Sequence, residues 1–150
     1  MLQEQNPNQD DLLRMRALAQ FRTALRRFLA FSERKAAEAG LQPQQHQLML
    51  QIAGAPDGVD TTISYVAERL GLRHNSVVEL SKRCADAGYV ERMQTQPDHR
   101  FVVLRLTASG WEALRNLSEA HAHELQNLGP ELISALMQVQ KLTQSEEEPA

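Results

Sequence analysis

The sequence predicts a mostly α-helical protein of the α+β class, in which one small β-hairpin interrupts a series of helices. Apolar residues recur every three or four positions through most of the chain, which is the period of an amphipathic helix. Two short β-prone runs lie between residues 89 and 106, and glycine or proline clusters separate the segments. These three observations define the order of the elements.

The first two predicted helices are a long one and a shorter one. Asp10 or Asp11 caps the long helix, which runs to Glu38, because aspartate accepts hydrogen bonds from the free N–H groups of a first turn. Pro43 opens the second helix, since proline at the first helical position sacrifices no hydrogen bond. The loop at residues 54–58 ends it.

Two short helices follow, joined by a tight turn. Asp60 and Thr61 are candidate caps for the first of them, and Gly71 ends it, because glycine readily adopts the left-handed conformation of a helix end. The second spans residues 73–87, and its buried stripe includes Cys84. Two short helices joined in this way predict a helix-turn-helix.

A β-hairpin is predicted directly after the helix-turn-helix. Its strands are residues 89–93 and 101–106, and polar residues 94–100 connect them. A helix-turn-helix followed by such a hairpin, called the wing, predicts a winged helix-turn-helix. Thr107 then caps a helix that Gly129 and Pro130 divide from a last helix.

The predicted organisation has four parts. Residues 1–38 form an N-terminal dimerisation helix, and residues 41–106 form the winged lobe. Residues 107–144 form C-terminal dimerisation helices, and residues 145–150 form a disordered tail. Long amphipathic helices at both ends of so small a domain need a partner to cover their apolar faces, which predicts a homodimer.

Charge and composition narrow the class of protein. The net charge is −3, yet residues 61–106 carry seven basic and five acidic side chains, whereas residues 107–150 carry two and seven. The middle of the chain therefore has a small positive net charge, which permits binding to phosphates. No apolar run approaches the roughly 20 residues of a membrane span. A single cysteine and a polar N-terminus indicate a cytoplasmic protein.

The sequence motifs support neither catalysis nor a cofactor or metal site. The sequence contains no P-loop, GxGxxG or GxSxG motif, so we predict neither an enzyme nor a cofactor. His121, His123 and Glu124 are the nearest approach to a metal site, but residues two positions apart diverge on a helix. Cys84 lies on a buried stripe, where a cysteine behaves as a small hydrophobic residue.

The polar side of the second short helix predicts contacts with double-stranded DNA, because a helix fits the major groove and presents its first turn to the bases. Asn75 can bond adenine, Glu79 can accept from cytosine, and Arg73 can bind guanine or phosphate. A solvated helix face is the alternative. The candidate DNA-binding residues here are Arg73, His74, Asn75, Ser76, Glu79, Lys82 and Arg83.

Six segments resemble, in the same order, the multiple-antibiotic-resistance regulators of bacteria (MarR family). They cover the opening of the second helix, the helix-turn-helix, the helix-to-strand junction, the wing tip and the entry to the following helix. The segments are Leu41–Gln45, Val66–Leu72, Asn75–Val78, Ala87–Arg92, Asp98–Arg100 and Leu106–Gly110.

The resemblance implies a homodimer that places two recognition helices in successive major grooves. Such a dimer usually represses transcription until a small effector, often an aromatic acid or phenol, weakens binding, and activation is the alternative to repression. The resemblance also implies that Arg100 enters the minor groove, held by Asp98 and next to His99 at the wing tip. An arginine at the wing tip without DNA contact is the alternative for Arg100. The alternative for the whole molecule is a winged-helix module that binds proteins.

Overall fold

The computed structural model describes residues 8–95 and 101–147, with side chains described up to residue 144. It confirms the winged helix-turn-helix, with one antiparallel hairpin among five helices in this part of the chain. None of its helices is long and apolar enough to cross a membrane. The elements are α1 (Gln9–Glu38), α2 (Pro43–Ala53), α3 (Ile63–Leu70), α4 (His74–Asp86), β1 (Val90–Gln94), β2 (Val102–Leu106) and α5 (Ala108–Glu147).

The chain divides into two compact units. The helical unit contains the residues up to Phe31 and those from His121 onward, and the winged unit contains Ser32–Ala120. The winged unit has a continuous apolar core to which α2, α3, α4 and the hairpin all contribute. Its most deeply buried large side chains are Leu48, Met49, Val66, Val77, Leu80, Cys84 and Leu104.

The cap of α3 differs from the prediction. Thr62 is the cap, since its Oγ1 accepts a hydrogen bond from the Tyr65 N–H at 3.1 Å. The predicted candidates, Asp60 and Thr61, precede it in the chain. The hydroxyl of Thr61 instead donates to the carbonyl oxygen of Leu104 in β2, a partner that lies too far away in the sequence for local pattern to indicate. Gly71 ends α3 with a left-handed φ of 64°, as predicted.

The start of α5 confirms the predicted cap at Thr107. Its Oγ1 accepts from the Gly110 N–H at 3.0 Å and donates to the Gly88 carbonyl oxygen at 2.6 Å. Its backbone N–H donates to the Tyr89 carbonyl oxygen at 3.0 Å. The same carbonyl lies against Gly110, where an added Cβ would come within 2.2 Å of the oxygen. The hydrogen bonds of Thr107 and the close contact at Gly110 therefore hold the start of α5 against the residues that follow α4.

The predicted division of the C-terminal helix at Gly129 and Pro130 is wrong, because α5 is continuous from Ala108 to Glu147 with Pro130 inside it. Proline removes one backbone hydrogen bond and crowds the Cβ of the preceding residue. Gly129 has no Cβ, so this crowding is relieved and the helix passes through. Residues 145–147, which were predicted to be disordered, continue α5, since serine and glutamate can be accommodated in a helix.

The helical unit packs small and aromatic side chains between its two helical segments. Phe28 and Phe31 meet the His121 ring edge to face, with centroid distances of 5.9 and 5.5 Å. Arg27 lies 3.5 Å from Glu131 in an ion pair. The residues buried in this unit are Ala17, Ala24, Leu128 and Ala135. Several large apolar side chains of the same unit remain exposed.

Candidate nucleic-acid interface

The outer face of α4 carries the candidate interface. Val77, Leu80 and Cys84 are fully buried, and Ser81 is buried with them. Because these positions share one stripe of the helix, the remaining side chains are directed to solvent. All seven residues predicted on this segment are exposed: Arg73, His74, Asn75, Ser76, Glu79, Lys82 and Arg83.

The N-terminal end of α4 is open and free of acidic side chains. The helix begins at His74, one residue later than predicted, and Arg73 is its N-cap without a side-chain capping bond. Its first turn contains no acidic residue. Unpaired N–H groups at a helix N-terminus carry partial positive charge. This end of the helix is therefore electrostatically suited to a phosphate or to acceptor groups on bases.

Two of the predicted residues contact each other. Lys82 Nζ lies 3.2 Å from Glu79 Oε1 in an ion pair one turn apart. Both side chains are exposed, so the pair contributes little to stability. The pair does reduce the positive charge that Lys82 presents, while the second carboxylate oxygen of Glu79 can still accept a hydrogen bond.

The predicted wing-tip residues Asp98, His99 and Arg100 lie outside the described residues. The wing is described up to both sides of this loop. β1 and β2 pair from Val90 with Leu106 to Gln94 with Val102, and Thr95 donates its N–H to the Phe101 carbonyl oxygen at 2.9 Å. The roles of the three wing-tip residues stay predictions.

A cavity of about 310 Å³ lies within the winged unit, between α2 and the first turns of α5. Its wall combines apolar side chains, an indole, a guanidinium and a carboxylate. The spacing of Trp111, Arg115 and Ser118 places them on one side of a helix, but no pattern in the sequence shows that this side faces α2. The lining residues are Leu50, Ala53, Trp111, Leu114, Arg115, Ser118 and Glu119.

Met49, Phe28 and Phe31 do not line this cavity. Met49 is completely buried in the core of the winged unit. Phe28 and Phe31 contact His121 in the helical unit. In the described part of the chain, no three His, Cys, Asp or Glu side chains come close enough together to hold a metal ion.

Cys84 is confirmed as a core residue, with no exposed surface. Burial raises the pKa of its thiol to about 11, and the neighbouring Arg83 charge lowers it only in part. The thiolate is the reactive form, so we expect the native protein to resist alkylation by iodoacetamide at pH 8, whereas the unfolded chain reacts readily. Labelling followed by mass spectrometry, with and without denaturant, measures this. Rapid labelling of the native protein would contradict the burial.

Sequence comparison identifies one family. A family model described as MarR family matches residues 39–100, which include α2, α3, α4 and β1, the first strand of the wing. No curated protein sequence matches the chain. The matched segment contains the helix-turn-helix and the exposed face of α4, so the predicted resemblance is confirmed for the part that carries the candidate interface.

Solved structures share the fold at low sequence identity. YusO from Bacillus subtilis has a TM-score of 0.64 at 18% identity, over 92% of this chain and 99% of its own. Wild-type MarR from E. coli, in its apo form, has a TM-score of 0.63 at 16% identity, over 85% and 93%. Reduced AbfR bound to DNA has a TM-score of 0.56 at 24% identity, over 77% and 85%.

Proposed function

Because residues 39–100 match a family model described as MarR family, we propose that this chain is a sequence-specific DNA-binding transcription regulator that acts by binding and not by catalysis. The observation that carries the proposal is the exposed face of α4. Its N-terminal end is free of acidic residues and is flanked by Arg73, and Asn75 and Ser76 lie in its first turn. AbfR, which has a similar fold, has been solved with DNA bound.

The chemistry of the α4 face fits the major groove of double-stranded DNA. The Asn75 side chain is exposed and bonds to no other described residue, so its amide is free to pair with the edge of an adenine. Arg73 is free to bind guanine or phosphate. We therefore propose that the chain acts in the cytoplasm, the compartment that contains the DNA of a bacterial cell.

We propose a homodimer in which the terminal helices of two chains meet. A stable monomer seldom exposes a large number of big apolar side chains on one small unit, and Ile133 and Met137 of the helical unit are 60% and 63% exposed. Two-fold symmetry would match a pseudo-palindromic operator. The exposed apolar residues of this unit are Met15, Leu18, Leu25, Leu29, Leu125, Ile133, Leu136 and Met137.

We also propose that the chain represses transcription and that a small aromatic acid or phenol relieves repression. The cavity between α2 and α5 supports this, since Trp111 offers an aromatic surface and Arg115 forms no ion pair with any described residue. A guanidinium binds a carboxylate well. An effector shifts the population only if it binds the DNA-free conformation more tightly, so benzoate or phenol should lower the measured affinity for DNA.

The test is a fluorescence-anisotropy titration of the purified protein against DNA from upstream of its own gene and against a scrambled duplex, at two salt concentrations. A sequence-specific regulator binds the first more tightly and loses affinity as salt rises, because bound phosphates release counterions. Equal affinity for both duplexes would contradict sequence specificity. Absence of binding to either at low salt would favour a module that binds proteins.

Replacing Glu79 with alanine tests the acidic residue on the α4 face. The variant removes a negative charge near the DNA and releases Lys82 from its ion pair, so affinity for scrambled DNA should rise roughly twofold to fivefold. The preferred base beneath Glu79 should also change. Asp86→Ala is the matched control, since it removes one charge at the far end of α4. Equal behaviour of the two variants would assign the effect to net charge alone.

A further inference from the structure

Two residues ahead of α3 tie the wing to the helix-turn-helix. The Leu104 N–H donates to the Thr61 carbonyl oxygen at 2.8 Å, and the Thr61 hydroxyl donates to the Leu104 carbonyl oxygen. Thr62 forms an isolated antiparallel bridge with Val103. Residues 61 and 62 thus occupy the edge of β2 that β1 leaves open, as a minimal third strand.

The Thr61 hydroxyl replaces a missing backbone donor. In a β-strand the N–H and C=O of one residue point to the same side, so the Leu104 carbonyl faces Thr61 together with the Leu104 N–H. Leu104 is only 1% exposed, and a buried carbonyl needs a donor. The side chain of Thr61 supplies that donor.

This hydrogen bond lies at the base of the wing. From Leu104 the hairpin extends outward through the pairing of Val102 with Gln94 and of Phe101 with Thr95, toward residues 96–100. A small change of angle at the base therefore displaces the outer end of the wing by a larger distance.

The packing around this hydrogen bond is incomplete. A gap of about 80 Å³ remains where the wing base, the start of α3 and the N-terminal half of α4 meet, and His74, Val78 and Phe101 are among its walls. Apolar contacts around an unfilled space constrain an element less than a close-packed interface does. A directional hydrogen bond next to the gap supplies the missing constraint.

We propose that Thr61 is a positioning residue that holds the wing at a fixed angle to α4 and thereby sets the wing's share of the DNA affinity. The proposal rests on the proposed function, because it takes the wing to contact DNA. It assigns Thr61 no contact with DNA. The two adjacent hydroxyls have separate tasks, since that of Thr61 holds the wing and that of Thr62 caps α3.

The test compares Thr61→Val with Thr61→Ser, which restores the hydroxyl. Amide hydrogen exchange of the free protein should become about threefold to tenfold faster at residues 102–104 in the valine variant, with α4 unchanged, as expected for the loss of one hydrogen bond. Affinity for the upstream DNA should fall by a similar factor. The ranking of operators altered beneath α4 should be preserved. The serine variant should match the wild type in all three measurements.

Thr62→Val is the matched control, because it removes the α3 cap and should accelerate exchange in α3 first. Wild-type exchange at residues 102–104 in Thr61→Val would overturn the proposal, and so would faster exchange without any loss of affinity in a protein that binds DNA. If the wild type does not bind its upstream DNA, the proposed function fails, and the role of Thr61 in DNA affinity fails with it. The exchange data would then show only whether Thr61 holds the hairpin.

Discussion

Gly110→Ala should destabilise the protein by roughly 1–3 kcal/mol, the range typical of overpacking at a rigid contact. The added Cβ would come within 2.2 Å of the Tyr89 carbonyl oxygen, which is backbone and has no rotamer to escape into. Moving that carbonyl away would also lengthen its 3.0 Å bond from the Thr107 N–H. The substitution thus separates the two elements that the junction holds together.

Urea denaturation followed by circular dichroism measures the free energy of unfolding. Ser109→Ala is the control, because residue 109 is exposed in the same helical turn and such substitutions usually change stability by no more than about 0.5 kcal/mol. Alanine favours a helix over glycine by about 1 kcal/mol, so stabilisation by Gly110→Ala would show that the carbonyl moves aside at no cost. Equal free energies of unfolding for Gly110→Ala and Ser109→Ala would also show that the Tyr89 carbonyl moves aside at no cost.

Asn75→Ala should reduce affinity for the operator by about fivefold to 150-fold, which corresponds to roughly 1–3 kcal/mol for one bidentate base contact. The side chain is exposed in the first turn of α4 and bonds to no other described residue. Its removal should therefore leave the free energy of unfolding nearly unchanged. Affinity for scrambled DNA should also stay near the wild-type value, because a base contact contributes only where its base is present.

The comparison uses Asn116→Ala, an exposed asparagine on α5, as a matched control in the same titrations. An equal loss on operator and scrambled DNA would assign Asn75 to the phosphate backbone. No loss on either would remove the first turn of α4 from the interface, and the proposed mode of recognition would then be wrong.

The winged unit could be predicted because the residues that define each of its helices lie close together in the sequence. The buried stripe through Val77, Leu80 and Cys84 has a helical period, Gly71 ends α3, and Thr107 caps α5. The exposed face of α4 follows from the same stripe, since positions off the stripe face solvent. Capping residues therefore predicted these two helix ends, and the helical period of the buried stripe predicted the candidate interface.

Features that depend on distant residues could not be predicted in this way. A threonine before an apolar run usually caps a helix, which predicts Thr61 as a cap, yet its hydrogen-bond partner, Leu104, lies in another element. The cavity joins Leu50 of α2 to Trp111 of α5, and no pattern within either segment shows that they meet. Pro130 predicts a break in the helix, whereas the absence of a Cβ on Gly129 lets α5 continue through it.

The position of Trp111 gives the protein an intrinsic optical probe. It is the single tryptophan of the chain, it lines the cavity between α2 and α5, and it is 46% exposed. A partly hydrated indole emits at longer wavelength than a shielded one, so a compound that enters the cavity and displaces water should shift the emission to the blue or quench it. Candidate effectors can therefore be ranked on unlabelled protein, in the absence of DNA and before any operator is known.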